Sequence, residues 1–161
     1  MQNWQLMPCG TASSLNNSSP AKTGHGMRNL TSSLKVFLIE DSALLQELLM
    51  DMFSELEGVE FCGCADGETE ALQKLAELPI DLVVIDIELK QGSGIGVLDA
   101  LQTDSGQYGS PRKVVLTNFA HQSMRQRCEH FGMDAFFDKS LDVSQLMDYV
   151  ADMAQQKNSF S

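Results

Sequence analysis

The stretch LVVIDIELKQGSGIGVL, residues 82–98, decides how the rest of the chain is interpreted. It opens with an uninterrupted apolar run that ends in Asp86, a pattern typical of a parallel β-strand covered on both faces. A glycine-rich turn and the start of a helix follow the strand. Either the glycines cradle a phosphate group, or Asp86 carries the chemistry and the glycines only turn the chain.

Outward from this stretch, short β-branched or aromatic runs alternate with amphipathic segments. The predicted strands are residues 34–40, 59–65, 81–87, 113–117 and 134–138. A predicted helix follows each strand: residues 42–56, 68–78, 94–102 and 121–131, and a last helix capped by Asp142 or Ser144. Five such units predict an α/β fold with an open, doubly wound five-stranded parallel sheet and helices on both faces, because each right-handed crossover must cover the sheet.

Length and charge limit the classes of function. The 161 residues suffice for one domain, which we place at 34–157, between a disordered N-terminal tail at 1–33 and a C-terminal tail at 158–161. Met27 is a candidate for the true start. From residue 34 onward, 9 basic against 22 acidic groups give a net charge of −13, which argues against direct nucleic-acid binding. No apolar run is long enough to span a membrane, and we expect a cytoplasmic protein.

Polar side chains gather where the predicted strands end. Glu40 and Asp41 end the first strand, Asp86 the third and Thr117 the fourth, while Lys139 follows the fifth. Because ligands of doubly wound sheets bind at the carboxyl ends of the strands, we expect these groups to converge. Three carboxylates together repel one another unless a cation compensates, and Mg²⁺ is the natural oxygen-liganded partner. Asp86 is then a candidate nucleophile toward a phosphoryl group.

The ordered set of motifs resembles the receiver domain of bacterial two-component response regulators, of the chemotaxis-receiver type and apparently single-domain. The resemblance covers about Leu34 to Gln155 and depends on LIEDS (38–42), VVIDIELKQGSGIGVL (83–98), VVLTN (114–118) and AFFDKS (135–140). It implies a flavodoxin-like (βα)5 fold with strand order 2-1-3-4-5.

The resemblance also implies roles for the residues at the strand ends. Asp86 matches the phosphoacceptor, Asp41 a direct Mg²⁺ ligand and Glu40 a ligand that acts mostly through water. The backbone carbonyl of Glu88 would supply a further metal ligand. Lys139 would pair with Asp86 and later with a phosphate oxygen. The phosphoryl group would come from a histidine kinase or a histidine phosphotransfer protein.

Two further residues match the family's switch. Thr117 would turn its hydroxyl onto the phosphoryl group, and the aromatic ring of Phe136 would move inward with it. Together they would alter the face made by the fourth and fifth predicted helices and the fifth strand, and so control binding of a downstream protein. The chain is then no enzyme beyond accepting and losing its own phosphoryl group, and is a monomer or a phosphorylation-dependent dimer, without nucleic-acid or membrane partners.

The glycines and the departures from the family bear on this interpretation. Val97 stands where a dinucleotide-binding pattern expects its third glycine, and no Walker lysine follows, so the glycines are turn and packing residues. Ser140 replaces the proline that receivers usually carry after the lysine, and we expect a trans bond there. Two alternatives stay open: an inert receiver-shaped interaction module, and an aspartate-nucleophile phosphatase, which would need an aspartate where Glu88 stands.

Overall fold

The computed structural model describes residues 32–159. The predicted N-terminal tail up to residue 31, the proposed start at Met27 and the last two residues of the predicted C-terminal tail lie outside this range. The strands are β1 (Leu34–Ile39), β2 (Val59–Ala65), β3 (Leu82–Ile85), β4 (Arg112–Thr117) and β5 (Ala135–Asp138). The helices are α1 (Ala43–Ser54), α2 (Glu68–Glu77), α3 (Gly94–Thr103), α4 (Ser105–Tyr108), α5 (Gln122–His130) and α6 (Val143–Ser159).

The five strands form one parallel sheet in the order β2-β1-β3-β4-β5. This confirms the predicted fold class and strand order. The strands β1 and β3 are neighbours in the sheet although α1, β2 and α2 separate them in sequence, so the chain reverses direction across the sheet at this point. Such a reversal opens a crevice at the carboxyl ends of the two strands, which is where doubly wound folds bind ligands.

Local sequence explains where the helices begin. Ser42 caps α1, since its hydroxyl accepts a hydrogen bond from the backbone N–H of Leu45, and Ser93 caps α3 in the same way through Ile95. The short helix α4 was not predicted. It forms because the carboxylate of Asp104 accepts from the N–H of Gln107, a capping contact within a segment that lacks an apolar period.

Two apolar cores, one on each face of the sheet, hold the helices in place. On one face, the inward side chains of the strands pack against α2, α3 and α5, and Leu75 and Leu98 are almost completely buried there. On the other face α1 and α6 cover the sheet through residues such as Phe53 and Leu146, both fully buried. Successive residues of a strand point to opposite faces, so every strand of the sheet contributes to both cores.

The end of α6 is tied to the amino-terminal edge of the sheet. The ammonium group of Lys157 lies 2.7 Å from Oδ2 of Asp81 and donates to the carbonyl of Ser33 at 3.1 Å. The same Asp81 oxygen accepts from the backbone N–H of Lys35 at 2.8 Å. The two ends of the described range therefore meet at the edge opposite the crevice. Among residues 32–159, no helix combines the length and apolar character that crossing a membrane requires.

A carboxylate and lysine cluster as the candidate functional site

The carboxyl ends of β1 and β3 bring the predicted acidic residues together. The backbone N–H of Asp86 donates to the carbonyl of Ile39 at 3.0 Å, so the residue that follows β3 is held beside the end of β1. Glu40, Asp41 and Asp86 each offer a carboxylate oxygen within 4.8 Å of the other two. This convergence is the one that the sequence predicted from three separate positions along the chain.

Lys139 joins the cluster from β5 and the turn after it. Its Nζ lies 2.8 Å from Oε1 of Glu40 and 2.8 Å from Oδ2 of Asp86. Its backbone N–H donates to the carbonyl of Thr117 at 3.0 Å, which fixes the turn against the end of β4. The Lys139–Ser140 peptide is trans, as expected, like every peptide bond between residues 32 and 159. The loss of the usual proline therefore leaves the lysine aimed at the carboxylates.

Ser140 makes contacts of its own where the family carries proline. Its backbone N–H and its hydroxyl both donate to Oδ1 of Asp138, at 2.8 and 2.7 Å. These two hydrogen bonds hold the pKa of the Asp138 carboxyl below its usual value. The turn that presents Lys139 is thus closed by side-chain hydrogen bonds that proline could not make.

Burial makes this cluster electrostatically unusual. Only 1% of Glu40 and 5% of Asp86 is exposed. Burial raises the pKa of Glu40, and the hydrogen bonds from Lys139 and from the N–H of Ser42 only partly oppose that rise. Burial alone would lower the pKa of Lys139, but its hydrogen bonds to Asp86 and Glu40 raise it above the usual value. The lysine is therefore firmly protonated.

The donor set fits a hard divalent cation. When ionised, the three carboxylates outweigh the single ammonium group of Lys139 by two negative charges, in a site where Glu40 and Asp86 are buried and Asp41 is partly exposed. A divalent ion would balance that excess, and carboxylate oxygens are the ligands that Mg²⁺ prefers. The side chain of Glu88 is exposed in the loop after β3, and the prediction for this residue concerns its backbone carbonyl alone.

The predicted switch residues lie farther along the sheet. Thr117 is fully buried, and its hydroxyl accepts from the backbone N–H of Phe119 at 3.2 Å. Phe136 is 7% exposed, and the guanidinium carbon of Arg125 on α5 lies 4.6 Å from its ring centre. Phe137 belongs to the core on the opposite face, as the alternation of a strand requires. Phe136 thus contacts α5.

The helix α3 starts directly against the acidic cluster. A Cβ atom on Gly94 would lie 2.2 Å from the carbonyl oxygen of Asp86, so a larger residue would push the helix away from that loop. The N–H of Gly94 also donates to the carbonyl of Ile87 at 2.9 Å. Glycine at this position serves close packing beside Asp86, which agrees with the predicted packing role of the glycines.

Sequence reasoning missed one polar residue near the site. Gln91 contacts the first turn of α2 through both its carbonyl and its side chain. One feature of the sequence indicates that α2 needs a capping partner from elsewhere: Gly67 stands at its N-cap and offers no side chain to cap the helix. The partner could not be named from the sequence, since it lies more than 20 residues further along the chain.

Comparison with known proteins agrees with this geometry. The family model described as the response regulator receiver domain matches residues 36–151. A protein-glutamate methylesterase/protein-glutamine glutaminase of Myxococcus xanthus is 33% identical over 94 residues, which are 58% of this chain and 26% of that protein. The chain spans about a quarter to a third of the length of such curated relatives.

Solved structures share the fold. The response regulator domain of Thermotoga maritima CheB superposes with a TM-score of 0.64 at 22% identity, covering 79% of this chain and 97% of that one. A response regulator protein from Burkholderia pseudomallei, crystallised with a phosphorylated aspartic acid, a calcium ion and citrate, gives a TM-score of 0.63 at 19% identity. That match covers 76% of this chain and 69% of the other.

Proposed function

Since this chain belongs to the response regulator receiver domain family, we propose that it is a phosphorylatable switch of a two-component phosphorelay in which Asp86 accepts the phosphoryl group. Receivers are normally signalling modules without catalytic turnover of a substrate. The only chemistry we assign to this chain is acceptance of its own phosphoryl group and its later hydrolysis. We place the receiver domain at residues 34–157 and the protein in the cytoplasm.

One observation carries the proposal: the ammonium group of Lys139 bridges Glu40 and Asp86 at 2.8 Å to each. An oxygen of Asp86 would attack the phosphorus of a phosphohistidine, forming a P–O bond as the P–N bond breaks and the imidazole leaves with the bonding electrons. From this one position the ammonium group can pair first with the carboxylate of Asp86 and then with an oxygen of the transferred phosphoryl group. Charge balance and positioning are the main catalytic needs of phosphoryl transfer.

Asp41, Asp86 and Glu40 would hold Mg²⁺, Glu40 mostly through water, with the backbone carbonyl of Glu88 as a further ligand. When bound, the ion supplies positive charge that offsets the carboxylates and the incoming phosphoryl oxygens. Glu40 also accepts from the N–H of Ser42 at 3.0 Å, so its carboxylate is oriented before any ion arrives. Support for this assignment comes from the charge excess described above and from the Burkholderia structure, which contains both a phosphorylated aspartic acid and a calcium ion.

Phosphorylation would be transmitted through Thr117 and Phe136 to the face formed by α5, β5 and α6. The added negative charge offers the Thr117 hydroxyl a stronger partner than it has now. Phe136 touches α5 through Arg125, so a movement of its ring reaches the surface of that helix. A histidine kinase or phosphotransfer protein would donate, and a downstream protein would recognise the altered face. The acidic surface argues against direct nucleic-acid binding.

The test is labelling with a small phosphodonor. Acetyl phosphate should modify the wild-type protein with Mg²⁺ and leave it unmodified in EDTA, as read by phosphate-affinity gel and intact mass. Beryllofluoride, a reversible mimic of the phosphoryl group, should likewise bind only when Mg²⁺ is present. The Asp86→Asn variant should stay unmodified under both conditions, while Asp99→Asn, at an exposed position of α3, should behave as wild type. Unchanged labelling of Asp86→Asn would overturn the assignment.

A further inference from the structure

We propose that Gln91 is a positioning residue for the magnesium site: it fastens the loop that carries Glu88 to the first turn of α2. This inference rests on the proposed function, because it concerns the same site. Gln91 is an exposed residue of the loop between β3 and α3, and it accepts hydrogen bonds from α2. Its effect would reach the ion through the backbone.

The loop is held at its base and at its tip by different contacts. At the base, Glu88 and Ser93 form an isolated antiparallel bridge, and Gly94 packs against the carbonyl of Asp86. At the tip, the carbonyl of Gln91 accepts from the N–H of Glu68 at 2.9 Å, and its Oε1 accepts from the N–H of Thr69 at 2.8 Å. Gln91 therefore supplies two hydrogen bonds that attach the tip to α2.

The helix α2 in turn depends on the loop. The first N–H groups of a helix have no partner within the helix and need an acceptor from outside. Gly67, at the N-cap, offers no side chain, so the two acceptors of Gln91 serve Glu68 and Thr69 in its place. A Cβ atom on Gly67 would lie 3.0 Å from both Cβ and Oε1 of Gln91. The glycine thus leaves room for the loop to come this close.

Attachment of the tip matters for the ion because the predicted ligand in this loop is a backbone group. Each loop residue has two soft dihedral angles, and fixing them costs conformational entropy. In the attached loop that ordering is complete before an ion binds. If the tip were released, binding of Mg²⁺ would have to order residues 88–92 itself, and the measured affinity would fall. Reciprocally, bound Mg²⁺ should hold the tip more firmly on α2.

Magnesium affinity, measured by isothermal titration calorimetry, tests the inference without any phosphoryl transfer. Gln91→Ala removes the side-chain acceptor, and Gln91→Met removes it while keeping the aliphatic stem that packs beside Gly67. We expect both variants to bind Mg²⁺ about 3- to 10-fold more weakly than wild type. This loss is smaller than the one typically caused by removing a residue that hydrogen-bonds directly to a metal ligand. Gln73→Met, at an exposed position of α2, is the matched control and should bind as wild type.

Amide hydrogen exchange provides a second readout that a merely structural role would not change. In wild type, Mg²⁺ should slow exchange at the N–H of Glu68, whose acceptor, the backbone carbonyl of Gln91, is kept in both variants. In the Gln91 variants this slowing should be lost while the melting temperature stays within a few degrees. If wild type binds Mg²⁺ and either folded Gln91 variant binds it within twofold of wild type, the positioning role is refuted. If wild type itself fails to bind Mg²⁺, the proposed function fails instead.

Discussion

At the scale of single residues, the buried carboxylate of Glu40 destabilises the folded protein at neutral pH, although the proposed metal site needs it. Burial raises the pKa of the Glu40 carboxyl group. At a pH between the unfolded-state and folded-state pKa values, the folded protein therefore keeps a proton that the unfolded chain has released. Its contribution to stability is thus complete below its usual pKa of 4.5 and is lost as pH rises through the higher folded-state value. An ionised Glu40 at neutral pH is therefore a cost that the fold carries for its site.

Glu40→Gln should remove that cost. We expect the free energy of unfolding in EDTA at pH 7 to rise, and the fall in stability between acidic and neutral pH to become shallower. Mg²⁺ should bind more weakly, because one carboxylate of the cluster is gone. Urea denaturation at several pH values measures the first effect and calorimetry the second. Glu47→Gln, exposed on α1, is the control, and equal pH profiles for the two variants would contradict the argument.

Lys139, in contrast to Glu40, should stabilise the folded protein. Lys139→Met leaves the buried carboxylates of Glu40 and Asp86 without their shared partner, which should lower the free energy of unfolding in EDTA by about 3 kcal/mol. Added Mg²⁺ should restore part of this loss. Labelling by acetyl phosphate should fall about tenfold or more, because a charge on the transferring group is no longer compensated. Lys90→Met, at an exposed position of the loop between β3 and α3, should change neither the free energy of unfolding nor the labelling. Undiminished labelling of Lys139→Met would exclude the role we give this lysine.

Much of the site was predictable at this scale because its residues follow strands. Glu40, Asp41, Asp86 and Lys139 each come at or just after the end of a strand, and a parallel sheet brings such positions to one edge. Gln91 was not predictable. Its role depends on where the tip of a loop meets another helix, which the pattern of apolar residues does not encode.

At the scale of secondary structure elements, α5 buries fewer residues than the other helices of nine or more residues in the described part of the chain. It buries one residue, Cys128, whereas α3 buries five over a similar length. Burial also raises the pKa of Cys128 to about 11, so its thiol stays protonated at neutral pH. A helix with one buried anchor can shift at low cost, which suits an element of the proposed output face.

Thr117→Val should separate acceptance of the phosphoryl group from its readout. The change keeps the side-chain shape and removes the hydroxyl that contacts the N–H of Phe119. We expect beryllofluoride still to bind, and the hydrogen-exchange response of α5 and β5 to be lost, since the hydroxyl is the proposed link. Mass spectrometry of deuterated peptides measures both. Thr103→Val, at the exposed end of α3, should respond as wild type, and an unaltered response of Thr117→Val would remove Thr117 from the switch.

The elements themselves followed closely from the sequence. The predicted bounds of β2 agree with the structure, and those of β4 and α3 differ by one residue. β3 is shorter than the predicted strand at residues 81–87, because the ladder ends at Ile85 and Asp86 and Ile87 belong to the loop of the site. The helix α4 was missed, since it is a single turn that begins at a side-chain cap in a segment without an apolar period.

At the scale of the whole molecule, the sheet separates two cores that should act independently on stability. Leu98→Ala and Leu146→Ala each empty a fully buried position, on opposite faces, and each should lower the free energy of unfolding by about 2–5 kcal/mol. The double variant should lose the sum within about 0.5 kcal/mol. Urea denaturation followed by circular dichroism measures this. A marked departure from additivity would show that the cores communicate through the sheet.

The meeting of Ser33 and Lys157 at the edge opposite the cluster has a practical consequence. A fluorescent protein, an affinity handle or a biosensor surface attached directly at residue 32 or residue 159 would lie on the side of the molecule away from Asp86. A pair of fluorophores placed there would lie close together in the native protein. Their energy transfer would then report unfolding directly, while the approach of a donor protein to the crevice stays unobstructed.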